Sequence, residues 1–175
     1  MVHSIENSNG TLMRLMEQVN DMQLRSADFL TPTNQLQFQT EPQSGEYRAN
    51  SRIIMERDGG APTRFFDLND VAFSQVAVDA GLDTKTARKL QEFDGVMNKR
   101  WQSEPKKKLL RTYMHGQYEN GAARAWVSDK FKTFDNHNLL SSTLPALMES
   151  DAQFKVVNGV VTDKRLYIRL KSEAH

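Results

Sequence analysis

Asp129, Asp135 and His137 come closest, by residue type and spacing, to a set that could do chemistry. Two carboxylates and an imidazole this near in sequence could ligate a metal ion or act as an acid/base pair. The same residues also suit local structure, because Asp favours turns at strand ends and N-caps before helices. We expect the structural role. With no HExxH, nucleophile elbow or phosphate-cradling glycine loop, we predict no catalytic residue, metal or cofactor, and we favour a function other than catalysis.

Basic residues are concentrated in the segment from Lys99 to Lys132. Nine basic side chains stand there against Glu104, Glu119 and Asp129, so nine minus three gives a local charge of +6, while the whole chain carries +1. Such segregated charge can attract a polyanion even when the overall pI is unremarkable. The alternative is a solvated face around a lysine-rich loop.

The basic segment also contains aromatic residues, and this combination predicts a nucleic-acid-binding surface. Stacking on an aromatic ring tolerates any base, and phosphate contacts ignore sequence, so single strands are the expected ligand. Trp126 is the main candidate for stacking, with Tyr113 or Tyr118 as further ones, although core packing is the alternative for Trp126. The basic residues predicted to meet phosphates are Lys106, Lys107, Lys108, Arg111, Arg124, Lys130 and Lys132.

A second pattern with a possible role in DNA binding lies between Val76 and Leu90. Small residues, a central glycine (Gly81) and apolar residues follow the spacing of a helix-turn-helix, whose second helix would carry Lys85, Thr86, Arg88 and Lys89 into a major groove. The alternative is a helical hairpin packed on a sheet, with Asn69 and Asp83 as N-caps and Gly81 ending the first helix. Nearby acidic residues favour the hairpin.

Composition limits the class of protein that could position these residues. The chain has 175 residues, no cysteine and a mean hydropathy of −0.63. Disulfides, thiolate metal sites and cysteine nucleophiles are excluded. No apolar run is long enough to cross a bilayer and no signal-peptide pattern is present, so we expect a cytoplasmic protein without a membrane partner. The polar composition suggests a thin core or a homo-oligomer.

The first part of the chain predicts a helix followed by strands. Apolar residues from Leu12 to Met22 follow helical spacing, which predicts an amphipathic helix over 10–28. Alternation over 35–39 and β-favouring residues over 47–57 and 63–67 predict an antiparallel meander. Residues 69–102 form a predicted helical insertion.

The second part predicts two hairpins separated by a helix, over 109–170. Strands 109–114 and 123–131 flank a turn at Glu119-Asn120-Gly121, and a helix capped by Asp135 or Asn136 follows. Asn158-Gly159 predicts a type I′ turn, and 165–170 predicts a strand with Leu166, Ile168 and Leu170 inward. The expected fold is one α+β domain over 1–175, with an antiparallel β-sheet of meander and hairpins, helices packed on it and a small helical pair inserted mid-chain.

Several of these segments carry a family resemblance. They are LLRTYMHGQYENGAARAWVSDKFKTFDNHNLL from Leu109, LPAL from Leu144 and VTDKRLYIRL from Val161. In this order they resemble the prophage- and plasmid-derived "phage/plasmid-like protein" family of unknown function. That family has a similar leucine-arginine-threonine strand, an "SD-Y-DN" strand, a helix ending near LPAL and a "TD-R-Y" strand. Its members often continue past the last strand, so the resemblance implies a compact variant.

The resemblance implies a context and not a reaction. Occurrence in phage and plasmid genomes implies nucleic-acid metabolism in a bacterial host, in recombination or replication, or interference with host defence. The alternative is a protein-interaction or homo-oligomeric phage factor that acts on a host protein without binding nucleic acid. The polar composition and the methionine-rich first helix are the features that support this alternative.

Overall fold

A computed structural model describes residues 3–40, 51–56, 63–115, 120–149, 154–162 and 165–172, with side chains from residue 12 onward except that of Met148. Within these residues the chain forms five α-helices and eight strands, which confirms the α+β class. Contacts within the chain define two compact units, residues 25–131 and residues 1–24 with 132–175. The prediction of one domain stays a prediction. No helix in the described ranges is long and apolar enough to cross a bilayer.

The chain begins with helix α1, His3–Arg25. In the unit of residues 25–131 the strands and helices that follow are, in chain order, β1 Ser26–Pro32, β2 Leu36–Thr40, β3 Ser51–Met55, β4 Arg64–Leu68, α2 Asp70–Asp79, α3 Thr84–Lys89, α4 Phe93–Ser103, β5 Lys107–Met114 and β6 Gly121–Ser128. The six strands form one sheet in the order β1-β5-β6-β4-β3-β2. A 3₁₀ turn, Thr33–Gln35, joins β1 to β2.

The sheet is mixed, so the prediction of an antiparallel sheet is wrong in part. The meander β2-β3-β4 is antiparallel as predicted, and so are β1-β5 and β5-β6, but β4 pairs with β6 in parallel. Parallel neighbours need a long crossover connection, and the three helices between β4 and β5 supply much of it. The helical insertion therefore provides part of the chain length that parallel pairing of β4 with β6 requires.

The sheet is strongly curled. Phe29 of β1 and Phe66 of β4 have β5 and β6 between their strands, so three steps of about 4.8 Å would place them about 14 Å apart in a flat sheet. Their ring centroids are 5.4 Å apart. The curl therefore brings side chains from distant strands together in one core.

Aromatic rings join the helices to this sheet. Phe38 of β2 contacts Phe93 and Trp101 of α4 edge-to-face, with centroid separations of 5.3 and 6.0 Å. Phe73 of α2 packs on Phe38 and Phe93, and Trp101 stacks on Trp126 of β6 at 5.2 Å. These side chains form one buried cluster that holds α2 and α4 against the same sheet.

The predicted helix over 10–28 is present, but both of its predicted ends are wrong. Helix α1 spans His3–Arg25, and the following residues form β1, an edge strand that the sequence analysis missed. Phe29 of β1 lies opposite Leu110 of β5, and this pairing outweighs local helix propensity. Pro32 ends β1, a position where an edge strand tolerates proline.

The other unit packs helices on a two-stranded sheet. It contains most of α1, helix α5 (Asn136–Met148) and the antiparallel strands β7 (Phe154–Val161) and β8 (Leu166–Ser172). As predicted, Asp135 occupies the N-cap position of α5. The core consists of Leu15 and Val19 from α1, Leu140 and Leu144 from α5 and Val156 from β7.

The prediction of a type I′ turn at Asn158-Gly159 is wrong, because β7 continues through both residues. The register shifts between Val156 and Asn158, which marks a bulge, and β7 ends at Val161. Close packing of Leu15 explains why residue 159 is a glycine, because a Cβ at this position would lie 2.6 Å from Leu15 Cδ2. The inward positions predicted for Leu166, Ile168 and Leu170 of β8 are confirmed.

Candidate nucleic-acid interface

The antiparallel register of β5 and β6 brings two basic segments to one end of the sheet. Lys108 of β5 lies opposite Ser128 of β6. Lys106 and Lys107, which precede Lys108, and Lys130, which follows Ser128, therefore extend from the same end of the two strands. The structure confirms the predicted β5–β6 hairpin, and this placement of the lysines follows from its register.

Lys108 is held in an ion pair and not presented to solvent. Its Nζ lies 2.6 Å from Oδ1 of Asp79, the last residue of α2, and both side chains are largely buried. Asp79 Oδ2 also accepts a hydrogen bond from Nε1 of Trp126 at 3.4 Å, and the Lys108 ammonium lies 5.9 Å from the centre of that ring. Lys108 therefore connects α2 to β5 and β6.

Arg111 and Arg124 are paired with the same carboxylate. Nε of Arg111 lies 3.0 Å from Oδ2 of Asp28 on the neighbouring β1, and Nη2 of Arg124 lies 3.8 Å from Oδ1. A bulge in the β5–β6 ladder, where Arg111 is opposite Ala125 and Thr112 is opposite Ala123, leaves Arg124 as the extra residue. Both arginine side chains are largely buried, so they stabilise the sheet around Asp28.

Trp126 and Tyr113 lie in the interior. Trp126 is 2% exposed and stacks on Trp101, and its backbone N–H donates to Oε1 of Gln75 at 2.7 Å. Tyr113 is buried beneath the guanidinium of Arg124, which lies 4.7 Å from its ring centre. The core-packing alternative for Trp126 therefore describes its position in this structure. Tyr118 lies outside the described residues.

Four lysines of the predicted surface are exposed: Lys106, Lys107, Lys130 and Lys132. Within the described part of the chain none of them forms an ion pair. Lys106, Lys107 and Lys130 belong to the sheet unit, whereas Lys132 belongs to the other unit. The first three are therefore the exposed lysines of the predicted surface that lie in the sheet unit.

Phe131 is an exposed aromatic that the sequence analysis did not select. It follows Lys130 directly, is 46% exposed, and has the guanidinium of Arg111 5.9 Å from its ring centre. The signal that would have found it is the alternation of lysine and phenylalanine in Lys130-Phe131-Lys132. In this structure Phe131 offers the accessible ring that Trp126 and Tyr113 do not.

The helix-turn-helix pattern corresponds to a capped helical hairpin. Asn69 accepts from the N–H of Ala72 and Asp83 accepts from that of Thr86, so both predicted N-caps are confirmed. Gly81 has φ of 79°, as the end of α2 requires. Arg88, on the proposed recognition helix, donates to Asp70 at 2.7 Å and covers the ring of Phe73.

Two hydrogen bonds from Thr86 stabilise this cap and are the main cause of a shift in the pKa of Asp83. The hydroxyl and the backbone N–H of Thr86 both donate to the Asp83 carboxylate, at 2.5 and 2.9 Å. Hydrogen bonds to the charged form hold the pKa of Asp83 below its ordinary value. This perturbed carboxylate therefore has a capping role.

A polar cavity of about 270 Å³ lies elsewhere in the sheet unit, beside β2. Asn98 of α4, in its wall, accepts from the N–H of Phe38 at 2.7 Å and donates to its carbonyl at 2.9 Å. Among the residues that the structure describes, the cavity wall contains amide side chains and Glu56. These side chains offer hydrogen-bond donors and acceptors to a polar ligand.

Asp129, Asp135 and His137 do not form a metal site in this structure. Among the residues that the structure describes, no three histidine or carboxylate side chains lie close enough together to hold a metal ion. In comparisons with known proteins, no family model, no curated protein and no solved structure matches the chain.

Proposed function

We propose that this protein binds single-stranded nucleic acid without sequence specificity through one end of the β5–β6 pair. We define the basic end as Lys106, Lys107 and Lys130 together with Phe131. The observation that carries the proposal is that three exposed lysines without ion pairs in the described chain share this end with an exposed aromatic ring. Lysines attract the phosphate backbone, and the ring supplies a face on which any base can stack.

The ion pairs of this region favour lysine, and not arginine, as the residue type that contacts phosphate. Arg111 and Arg124 are engaged with Asp28, and Lys108 is engaged with Asp79. The lysines of the basic end keep long, mobile side chains that meet phosphates as point charges and impose no base geometry. A surface of this kind binds through counterion release, which makes its affinity depend steeply on salt and hardly on sequence.

The same proposal includes a cellular role. The sequence motifs resemble a phage- and plasmid-derived family, and single-strand binding would serve recombination or replication in the cytoplasm of a bacterial host.

Fluorescence anisotropy with a labelled single-stranded oligonucleotide tests this proposal. The variant Lys106→Glu/Lys107→Glu/Lys130→Glu should lose binding at low salt, because three attractions become repulsions. Lys85→Glu/Lys89→Glu/Lys99→Glu is the matched control, since these lysines are also exposed and carry the same charge change on α3 and α4. Retained binding in the first variant, or an equal loss of binding in both variants, would contradict oligonucleotide binding at the basic end.

A second candidate function is self-association or binding to a host protein. The observation that favours it is Leu30, which is 58% exposed on β1, an edge strand of the six-stranded sheet. Exposed apolar side chains on a sheet edge favour pairing with another strand. Self-association that is insensitive to salt, in a chain that binds no oligonucleotide, would favour this function.

A further inference from the structure

We infer a second binding site for single-stranded nucleic acid on the outward face of the β7–β8 hairpin. We define this outer face as Arg165, which precedes β8, with Tyr167, Arg169 and Lys171 of β8. The site lies in the unit of residues 1–24 and 132–175 and goes beyond the basic end, because none of its residues belongs to the β5–β6 pair. This inference does not depend on binding at the basic end.

The hairpin has two chemically opposite faces. Leu166, Ile168 and Leu170 alternate along β8 and pack on the cluster that contains Leu15, Val19 and Leu140. Alternation along a strand sends the residues between them to the other side. Tyr167, Arg169 and Lys171 are all exposed there. The inward face anchors the hairpin, and the outer face is free to bind a ligand.

Tyr167 is presented as an accessible and oriented ring. It is 55% exposed, and its hydroxyl accepts a hydrogen bond from Nη1 of Arg165 at 2.8 Å. Val160 lies opposite it on β7 and is also exposed, so an apolar side chain flanks the ring. The hydrogen bond leaves the ring face open for a base.

The sequence of this hairpin is basic. From 154 to 172 the sequence contains Lys155, Lys164, Arg165, Arg169 and Lys171 against Asp163, so five minus one gives +4. In the described part of the chain, Arg165, Arg169 and Lys171 form no ion pair. All three side chains are exposed, so an anionic ligand can reach them.

The arrangement matches a ligand that alternates rings with negative charges. Same-face residues on a strand are about 6.8 Å apart, so Tyr167 has a cation two residues away on each side along the strand. A base stacked on Tyr167 would bring its flanking phosphates towards Arg165 and Arg169. An acidic peptide or an anionic lipid surface would use the charges but would not require the ring. Single-stranded nucleic acid uses both.

Oligonucleotide binding by full-length Tyr167 variants tests the stacking role. Tyr167→Ala should weaken binding about tenfold, which lies within the effect expected from losing the stacking of one base on one ring. Tyr167→Phe keeps the ring and should bind as the native chain does. Because Tyr167 is exposed, both variants should retain the circular dichroism spectrum and thermal midpoint of the native chain. Equal affinity of Tyr167→Ala and the native chain would overturn the site.

Salt dependence tests the charges independently of the ring. Arg169→Gln/Lys171→Gln should make the negative slope of log affinity against log salt shallower by about 1.4, which corresponds to two phosphate contacts on a single strand. Lys85→Gln/Lys89→Gln makes the same charge change in the other unit and should leave the slope unchanged. Equal slopes for the native chain and the Arg169→Gln/Lys171→Gln variant would overturn the site. Binding of both proteins to phosphatidylserine vesicles is measured in parallel. If this variant lost vesicle binding but kept its oligonucleotide affinity, that result would also overturn the site.

Photo-crosslinking separates this site from the basic end. An oligonucleotide containing 5-bromodeoxyuridine, irradiated with the native chain, should crosslink to the peptide that contains Tyr167. Crosslinks that map only to the peptide of Lys130 and Phe131 would overturn the hairpin site while supporting the basic end. Crosslinks that remain at Tyr167 in Lys106→Glu/Lys107→Glu/Lys130→Glu would support the hairpin site even if the basic end fails.

Discussion

The ammonium of Lys108 lies 2.6 Å from the carboxylate of Asp79, with 14% and 19% of the two side chains exposed. This ion pair joins the start of β5 to the end of α2. It also divides the three consecutive lysines by role, because Lys106 and Lys107 remain exposed while the third holds the fold together.

Asp79→Asn should destabilise the protein by about 2 kcal/mol, because it leaves the charge of Lys108 largely buried without its counter-ion. Asp70→Asn is the matched control. It breaks an ion pair of similar length, 2.7 Å to Arg88, but 74% of the Asp70 side chain is exposed, so the cost should stay below about 1 kcal/mol. Urea unfolding measures both. Equal costs for the two variants would contradict the structural role of Lys108.

Asn98→Ala should cost about 2 kcal/mol in the same assay. Its amide makes two hydrogen bonds to the backbone of Phe38 and covers part of the outer edge of β2, so its loss leaves partly buried backbone groups unsatisfied. Gln102→Ala removes one exposed hydrogen bond, to the carbonyl of Asn34, and is the control. A cost for Asn98→Ala no larger than that for Gln102→Ala would show that β2 does not need this contact.

Gly159→Ala should destabilise the protein by about 1–3 kcal/mol, because the added Cβ would lie 2.6 Å from Cδ2 of the buried Leu15. Gly95→Ala, with open space around its Cβ inside α4, should instead stabilise by up to about 1 kcal/mol. Thermal unfolding of the two variants measures the contrast. A neutral Gly159→Ala would argue against close packing of α1 on β7.

Thr86→Val should raise the pKa of Asp83 towards its ordinary value, because the side-chain hydrogen bond from Thr86 is the main cause of its depression. A depressed pKa in the folded state means that the unfolded chain takes up the proton first as pH falls. The stabilisation is therefore present above the ordinary pKa of 3.8 and lost as pH drops through the lower folded value.

NMR titration of the Asp83 carboxyl carbon measures that pKa in both proteins. The valine variant should also show a weaker loss of stability below pH 3.8 than the native chain does. An unchanged Asp83 pKa would show that the backbone cap alone sets it.

The elements with strong periodicity could be predicted from sequence. Alternation over Gln35–Gln39 corresponds to β2, and the aliphatic residues of β8 face inward as expected. The caps Asn69 and Asp83 were predictable because N-capping is a local interaction between residues close in sequence.

The features that depend on distant parts of the chain could not be predicted. Ser26–Pro32 becomes a strand only because β5, far along the sequence, pairs with it. Asn158-Gly159 looks like a turn, yet the glycine serves the approach of Leu15. Trp126 lies in a basic segment, but its burial depends on Trp101 and on the helix that carries it. Local patterns contain no information about these partners.

The most direct test of the proposed function is the salt dependence of native-chain affinity for two labelled single-stranded oligonucleotides of unrelated sequence. We expect equal affinities and a straight line of log affinity against log salt, with a slope of about −0.7 for each phosphate contacted. No binding at low salt, or affinities that differ strongly between the two sequences, would contradict it.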